Sequence, residues 1–322
     1  MIVLPLLLSA ATLAQTAVRT VEWPAPPEPA RIRYLRSIDP ASIRPRPSVL
    51  TRVLRAIAGG RQAPLMTQPY GVTIGPDRRV YVADTVGGAV HIFDLEKTSY
   101  SVLHLNFESL VGIASAGERL VVTDSASARV AAIDLHGRTL WTRGRQEGFE
   151  RPTGIAAAPD RLYVVDTLRH RVVILDLDGR IVGAFGARGS RPGQFNFPTN
   201  IARSADGRVF VTDAMNFRVQ VFDAGGQFLR AFGQLGDGVG DFDKPRGVAV
   251  DRDGHVYVVE GVHDVVQIFD ERGRLLLTFG GSGQGAGELW LPAGLAIVDD
   301  VIYVVDSANR RVQMYERTGT ER

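Results

Sequence analysis

Three sets of residues in this chain have the types that chemistry uses. The six histidines, His91, His104, His136, His170, His255 and His263, could ligate a divalent metal or move a proton near neutral pH. No two of them show ligand spacing on one element, and His136 and His255 fall in turns. The stretch Gly281-Ser282-Gly283-Gln284-Gly285-Ala286-Gly287 could cradle a phosphate, but such a loop needs a helix after it, whose N-terminal N–H groups meet the anion. Here Leu291-Pro292-Ala293-Gly294 and a strand follow, so the glycines read as a turn. The third set recurs: Asp124 and Arg129, Asp166 and Arg171, Asp213 and Arg218, Asp306 and Arg311 are acid–arginine pairs five residues apart. Copies spread along a whole chain cannot converge on one substrate. These pairs are expected to fasten a repeated strand connection, with no catalytic residue among them.

Composition narrows what must position them. The 322 residues are 45% hydrophobic and 22% charged, near the averages of a soluble globular protein. At this length roughly three quarters of the unfolded surface can be buried, so no disulfide staples are needed. Cysteine is absent, which removes thiolate metal sites, cysteine nucleophiles and a lipidated N-terminal Cys. The net charge is only +2, with Lys97 and Lys244 the only lysines and the arginines interspersed among acids. Phosphate attraction depends on clustered cations, so no DNA partner is expected. The 35 glycines call for many turns.

Those turns punctuate six copies of one unit. Each copy opens with a turn and a short apolar strand, as in Pro152-Thr153-Gly154-Ile155-Ala156, Pro245-Arg246-Gly247-Val248-Ala249 and Pro292-Ala293-Gly294-Leu295-Ala296. A second strand ends in an acid at 84, 124, 166, 213, 260 and 306, giving spacings of 40 to 47 residues. A third strand follows, and most copies add a fourth. Four short strands in a unit of that length predict a β-propeller blade. The fold class expected is therefore all-β, a six-bladed β-propeller of four-stranded antiparallel blades. The sixth copy lacks its outer strand, and Ile32 to Ile38 alternates apolar and polar side chains at the other end of the chain. That strand is expected to close the last blade.

In such a ring the second residue of each inner strand surrounds one mouth of the central channel: Tyr70, Val111, Thr153, Thr199 with Asn200, Arg246 and Ala293. Tyr70, Thr153, Thr199, Asn200 and Arg246 are the candidate ligand-binding residues, able to hold a small anion or a peptide end.

The Pro-x-Gly-[Val/Ile]-Ala start, the strand-end Asp with its Arg, and turns such as Gly193-Gln194-Phe195-Asn196-Phe197-Pro198 resemble the NHL-repeat family over residues 68–316. Trp23 to Leu35 also resembles the start of exported bacterial NHL proteins, mostly uncharacterised. The resemblance implies six blades and allows several functions. Some NHL propellers are zinc lyases with channel histidines, and lactonases of related form hold a divalent ion in a carboxylate and amide cluster. The inner strands here are nearly all apolar, so neither metal nor cofactor is expected.

Ahead of the repeats, residues 1–14 read as a signal peptide, with apolar Ile2 to Leu8 followed by small residues through Ala14. Residues 15–30 read as a proline-rich spacer, 31–38 as the closing strand, and 39–67 as a linker with a short amphipathic helix capped by Ser48. Residues 317–322 form a tail. The expected protein is a periplasmic or secreted monomer without a transmembrane span, cytoplasmic if the apolar run is not a signal. It would be a non-enzymatic binding or scaffold module for an unidentified protein or small ligand. Two rivals stay open: a metal-dependent lyase or lactonase, and an RNA-binding NHL propeller.

Overall fold

The computed structural model describes residues 20–43 and 66–318. Six antiparallel sheets stand around an axis. Blade 3 shows the pattern: inner strand Pro152–Ala157, second Arg161–Asp166, third Arg171–Asp176 and outer Ile181–Phe185, paired in that order. The second and third strands are apolar without alternation because both their faces are covered, like strands inside a stacked sheet. The outer strand of blade 3 exposes Ile181, Val182 and Ala184 instead. Six apolar clusters form the core, each lying between two neighbouring blades. One blade alone could bury neither face.

The sixth sheet carries the closure. Ile32–Ile38 pairs antiparallel with the last strand, Arg311–Arg317, from Ile32 opposite Arg317 to Ile38 opposite Val312. The outer strand of blade 6 thus comes from the N-terminal segment. Two boundaries differ from those expected. Glu22–Trp23, placed in the spacer, forms a fifth strand on that sheet. It is an edge strand of two residues, so the prolines that follow interrupt no central ladder, and the Trp23 ring packs 5.8 Å from Tyr315 and 5.9 Å from Phe279. At the other end, Arg317 belongs to the last strand and not to the tail. Within the linker, Asp39 accepts hydrogen bonds from the Ala41 and Ser42 N–H groups and starts a single helical turn, Pro40–Ile43. The expected signal peptide and the helix after Ser48 lie outside the described residues. Among the described residues no helix is long and apolar enough to cross a membrane.

The glycine of the repeat has a steric reason. Inner strands of adjacent blades touch around the axis. A Cβ on Gly71 would lie 2.5 Å from the Val111 carbonyl oxygen, and one on Gly294 would lie 2.5 Å from the Tyr70 carbonyl oxygen. Gly71→Val and Gly294→Val are therefore expected to destabilise by about 1–3 kcal/mol or more, since the backbone offers no slack. Asn200 holds the corresponding place in blade 4, and Asn200→Gly should cost far less. Urea unfolding of the three variants checks this contrast.

Candidate functional site

Each inner strand is irregular near its start. The register shifts between Pro69 and Gly71, between Pro152 and Ile155, between Pro198 and Asn200, and between Pro245 and Val248. A bulge of this kind leaves one residue out of the ladder and re-aims its side chain. The displaced residues include Tyr70, Thr153, Thr199 and Arg246. All four line a cavity of about 710 Å³ at the mouth of the channel. Val111 lines it as well, whereas Ala293 is fully buried. Asn200 is not at the mouth. It lines a separate, narrower space of about 60 Å³ along the axis, where its Oδ1 accepts the Ile201 N–H. The bulge ends at Asn200 and not before it, a detail that the repeat does not reveal.

Thr153 also differs from an open mouth residue. It is 8% exposed, and its hydroxyl donates to the Thr199 carbonyl at 2.9 Å and meets the Thr167 hydroxyl at 2.8 Å, so it ties blade 3 to blade 4. The Thr199 hydroxyl, by contrast, is buried and has no hydrogen-bond partner. Arg246 is held by its stem: a Cβ on Gly261 would fall 2.5 Å from its Nε, so that glycine makes the room. Its Nη1 donates to the Pro292 carbonyl at 3.1 Å. Arg151 and Lys244, which the sequence reading did not single out, stand in the same lining. Each is the residue before an inner-strand proline, the signal that could have found them. Among the described residues none of these three cations has a carboxylate within 4.0 Å, and Asp243 is the one carboxylate in the lining. Burial pushes the Tyr70 phenol up, while Arg246 and Arg151 pull it back.

The acid–arginine pairs sit below this rim. Arg129 lies 3.3 Å from Asp124, Arg171 3.5 Å from Asp166, Arg218 2.8 Å from Asp213 and Arg311 2.7 Å from Asp306. Each acid also binds the turn leading into its own inner strand: Asp166 accepts the Glu150 and Arg151 N–H groups, and Asp213 accepts that of Asn196. The two blades without the arginine use histidine, with His91 Nε2 3.2 Å from Asp84 and His263 Nδ1 3.0 Å from Glu260. Burial pushes the Asp84 carboxyl up. The His91 ring and the N–H groups of Thr67, Val86 and Gln68 outweigh it and hold the group below the usual carboxylate range. Asp124 and Glu260 are likewise held low against burial, chiefly by Ser127 and by the His263 N–H.

One set with metal-ligand chemistry exists among the described residues, at the opposite face. Asp251, Asp253 and His255 bring their ligand atoms within 4.8 Å of one another. The Arg317 guanidinium already sits there, 3.0 Å from Asp251, 2.6 Å from Asp253 and 3.3 Å from Asp300. A resident cation thus satisfies these acids, so the set fits a metal poorly.

With this geometry in view, the class is clear: a six-bladed β-propeller. A family model, DUF5128, described as a 6-bladed beta-propeller, matches residues 199–264. A comparison with curated proteins found no match. Among solved structures, virginiamycin B lyase from Staphylococcus aureus aligns at 14% identity and TM-score 0.59, covering 78% of this chain and 95% of that one. A gluconolactonase from Xanthomonas campestris aligns at 19% identity and TM-score 0.59, covering 78% and 86%. A nidogen/laminin complex aligns at 20% identity and TM-score 0.54, covering 66% and 79%. At such identities the likeness carries the fold alone, and one fold hosts enzymes and binding modules alike.

Proposed function

We propose that this chain is an exported, NHL-type propeller that binds a small carboxylate-bearing ligand at the channel mouth and performs no chemistry on it. One observation carries the reading: Arg151, Lys244 and Arg246 line one cavity of about 710 Å³ with a single carboxylate, Asp243, in its lining and, among the described residues, no carboxylate within 4.0 Å of any of the three. That size suits an organic ligand. A carboxylate supplies the missing charge, and hydrogen bonds to charged groups contribute about 1.5–3 kcal/mol each. The buried Thr199 hydroxyl can meet a second ligand oxygen. Val111, Phe197 and Met215 in the lining favour an apolar body on the ligand. The repeat motifs support the NHL assignment, and the apolar run at Ile2 to Leu8 supports export to the periplasm or beyond. A lyase or lactonase would need imidazoles or clustered acids around its metal; the lining offers no histidine and a single carboxylate.

Titration calorimetry with a panel of aliphatic and aromatic monocarboxylates tests the reading. At least one should bind, and Arg246→Ala should weaken it about tenfold, which is about 1.4 kcal/mol. Binding that ignores Arg246→Ala would overturn the assignment of the mouth. One tightly held equivalent of zinc by elemental analysis would move the protein to the metal enzymes.

A further inference from the structure

The residue two places after each strand-end acid is apolar in all six blades: Val86, Ala126, Leu168, Met215, Val262 and Ala308. The turn itself does not require this. The turn uses the backbone of that residue: its N–H donates to the acid at 3.0 Å from Val86, 3.1 Å from Ala126 and 2.9 Å from Val262, and to the Asn196 and Trp290 carbonyls from Met215 and Ala308. Any side chain would serve at a solvent-facing turn. Yet Val86 is 48% exposed, Leu168 39%, Met215 53% and Val262 50%, with Leu291 at 46% beside them. These side chains ring the mouth. Val86 and Met215 reach its lining, whereas Leu168 and Val262 lie outside it. Solvent-exposed apolar residues normally scatter singly; a ring of them around a cavity marks an interaction surface.

We infer that this face is the docking surface for an acidic, apolar segment of a partner protein. The inference rests on the mouth reading above, because Arg151, Lys244 and Arg246 anchor the acid. Charge complementarity selects the partner: three cations face one carboxylate, Asp243, in the lining. Reach extends the site from a small carboxylate to a chain, since a ligand that only fills the cavity leaves Leu168 and Val262 bare. Side-chain type selects protein over nucleic acid. Single strands stack successive bases on a series of aromatic rings. The exposed ring members Val86, Leu168, Met215 and Val262 are aliphatic or Met, and among the described residues Trp290 is the one exposed aromatic side chain on this face, with Tyr70 and Phe197 half-buried in the lining.

Fluorescence anisotropy on the full chain decides the matter, with a labelled peptide of roughly eight alternating Asp and Leu residues. That peptide should bind about tenfold more tightly than its Lys–Leu and Asp–Ser counterparts. Leu168→Ser with Val262→Ser should weaken it about fivefold while melting and monocarboxylate binding stay unchanged. Arg246→Ala should weaken both peptide and monocarboxylate. If the rim variant leaves peptide affinity intact while the monocarboxylate still binds, docking is overturned and the mouth reading stands; if neither probe binds, both fall. Tighter binding of an oligouridine that displaces the peptide would assign the face to RNA and overturn the proposal. A dimer in sedimentation velocity that Leu168→Ser with Val262→Ser dissolves would assign it to a second copy, with the same consequence. Peptide binding seen only in a chain carrying Leu50→Glu and Leu54→Glu would assign it to residues 44–65 of the chain itself, again overturning the proposal.

Discussion

A chain that starts at residue 39 is expected to melt about 10 °C or more below the full protein. The lost strand contributes Ile32 and Ile38, both essentially inaccessible, to the clusters on either side of blade 6. Burying one such side chain stabilises by about 1.5–3 kcal/mol. Truncation also strips Trp23 and Tyr34 from the buried Tyr315, whose ring they contact at 5.8 and 5.9 Å. Each kcal/mol moves the midpoint of a protein of this size by roughly 2–4 °C, so the two isoleucines alone account for most of the shift. The third strand of blade 6 would become an exposed edge, and an unpaired edge invites association. Aggregation on heating should accompany the lower midpoint in calorimetry. Adding residues 20–38 as a separate peptide should restore part of the loss. An unchanged midpoint would mean that the ring closes without its N-terminal strand.

What the sequence made legible follows from what was repeated. Six apolar second strands, each closed by an acid, are visible because every blade must bury both faces of its middle strands. The closing strand was legible from an imbalance, one strand too few at one end and one too many at the other. Side-chain contacts off the five-residue spacing were not. His91 and His263 stand in for arginine, but at offsets of seven and three from their acids, so the five-residue spacing hid them. A seven-residue offset would have found His91 together with Gln220 and Gln313, which donate to Asp213 and Asp306 at 3.0 and 3.2 Å. Arg317 and Asp251 meet from positions 66 apart, with nothing local to announce them. The repeat puts Asn200 at the mouth because it gives a position and not the bulge that decides where a side chain points. Prolines hid the edge strand at Trp23, since composition there argued only for a spacer.

Asp213→Ala and Arg246→Ala should behave as opposites. Asp213 is fully buried and accepts from four groups: the Asn196 N–H at 2.6 Å, Asn216 Nδ2 and Arg218 Nε at 2.8 Å, and Gln220 Nε2 at 3.0 Å. Removing it leaves a guanidinium, two side-chain amides and a backbone N–H facing an apolar gap, and breaking a buried pair from one side costs about 3–5 kcal/mol. Gln220 keeps its bond to the Gln194 carbonyl, so the loss should sit toward the lower figure. Arg246 reaches a carbonyl at the solvent-facing mouth, and its replacement should change stability by less than about 0.5–1 kcal/mol. The acids of this class also set the acid limit of the fold. Asp84, Asp124 and Glu260 titrate lower in the folded chain than their ordinary values of 3.8, 3.8 and 4.5. Their stabilisation is complete above the unfolded values and is lost as pH falls through the folded ones. The midpoint should therefore fall steeply below about pH 4 on this account. Replacing Asp124 by Asn should flatten that fall by removing one titrating group. Melting curves of the three variants between acid and neutral pH, with carboxylate binding measured at neutral pH, separate the roles. If Arg246→Ala unfolds the protein while Asp213→Ala melts normally and loses the ligand, then the fastening acids are the site and the mouth is scaffold.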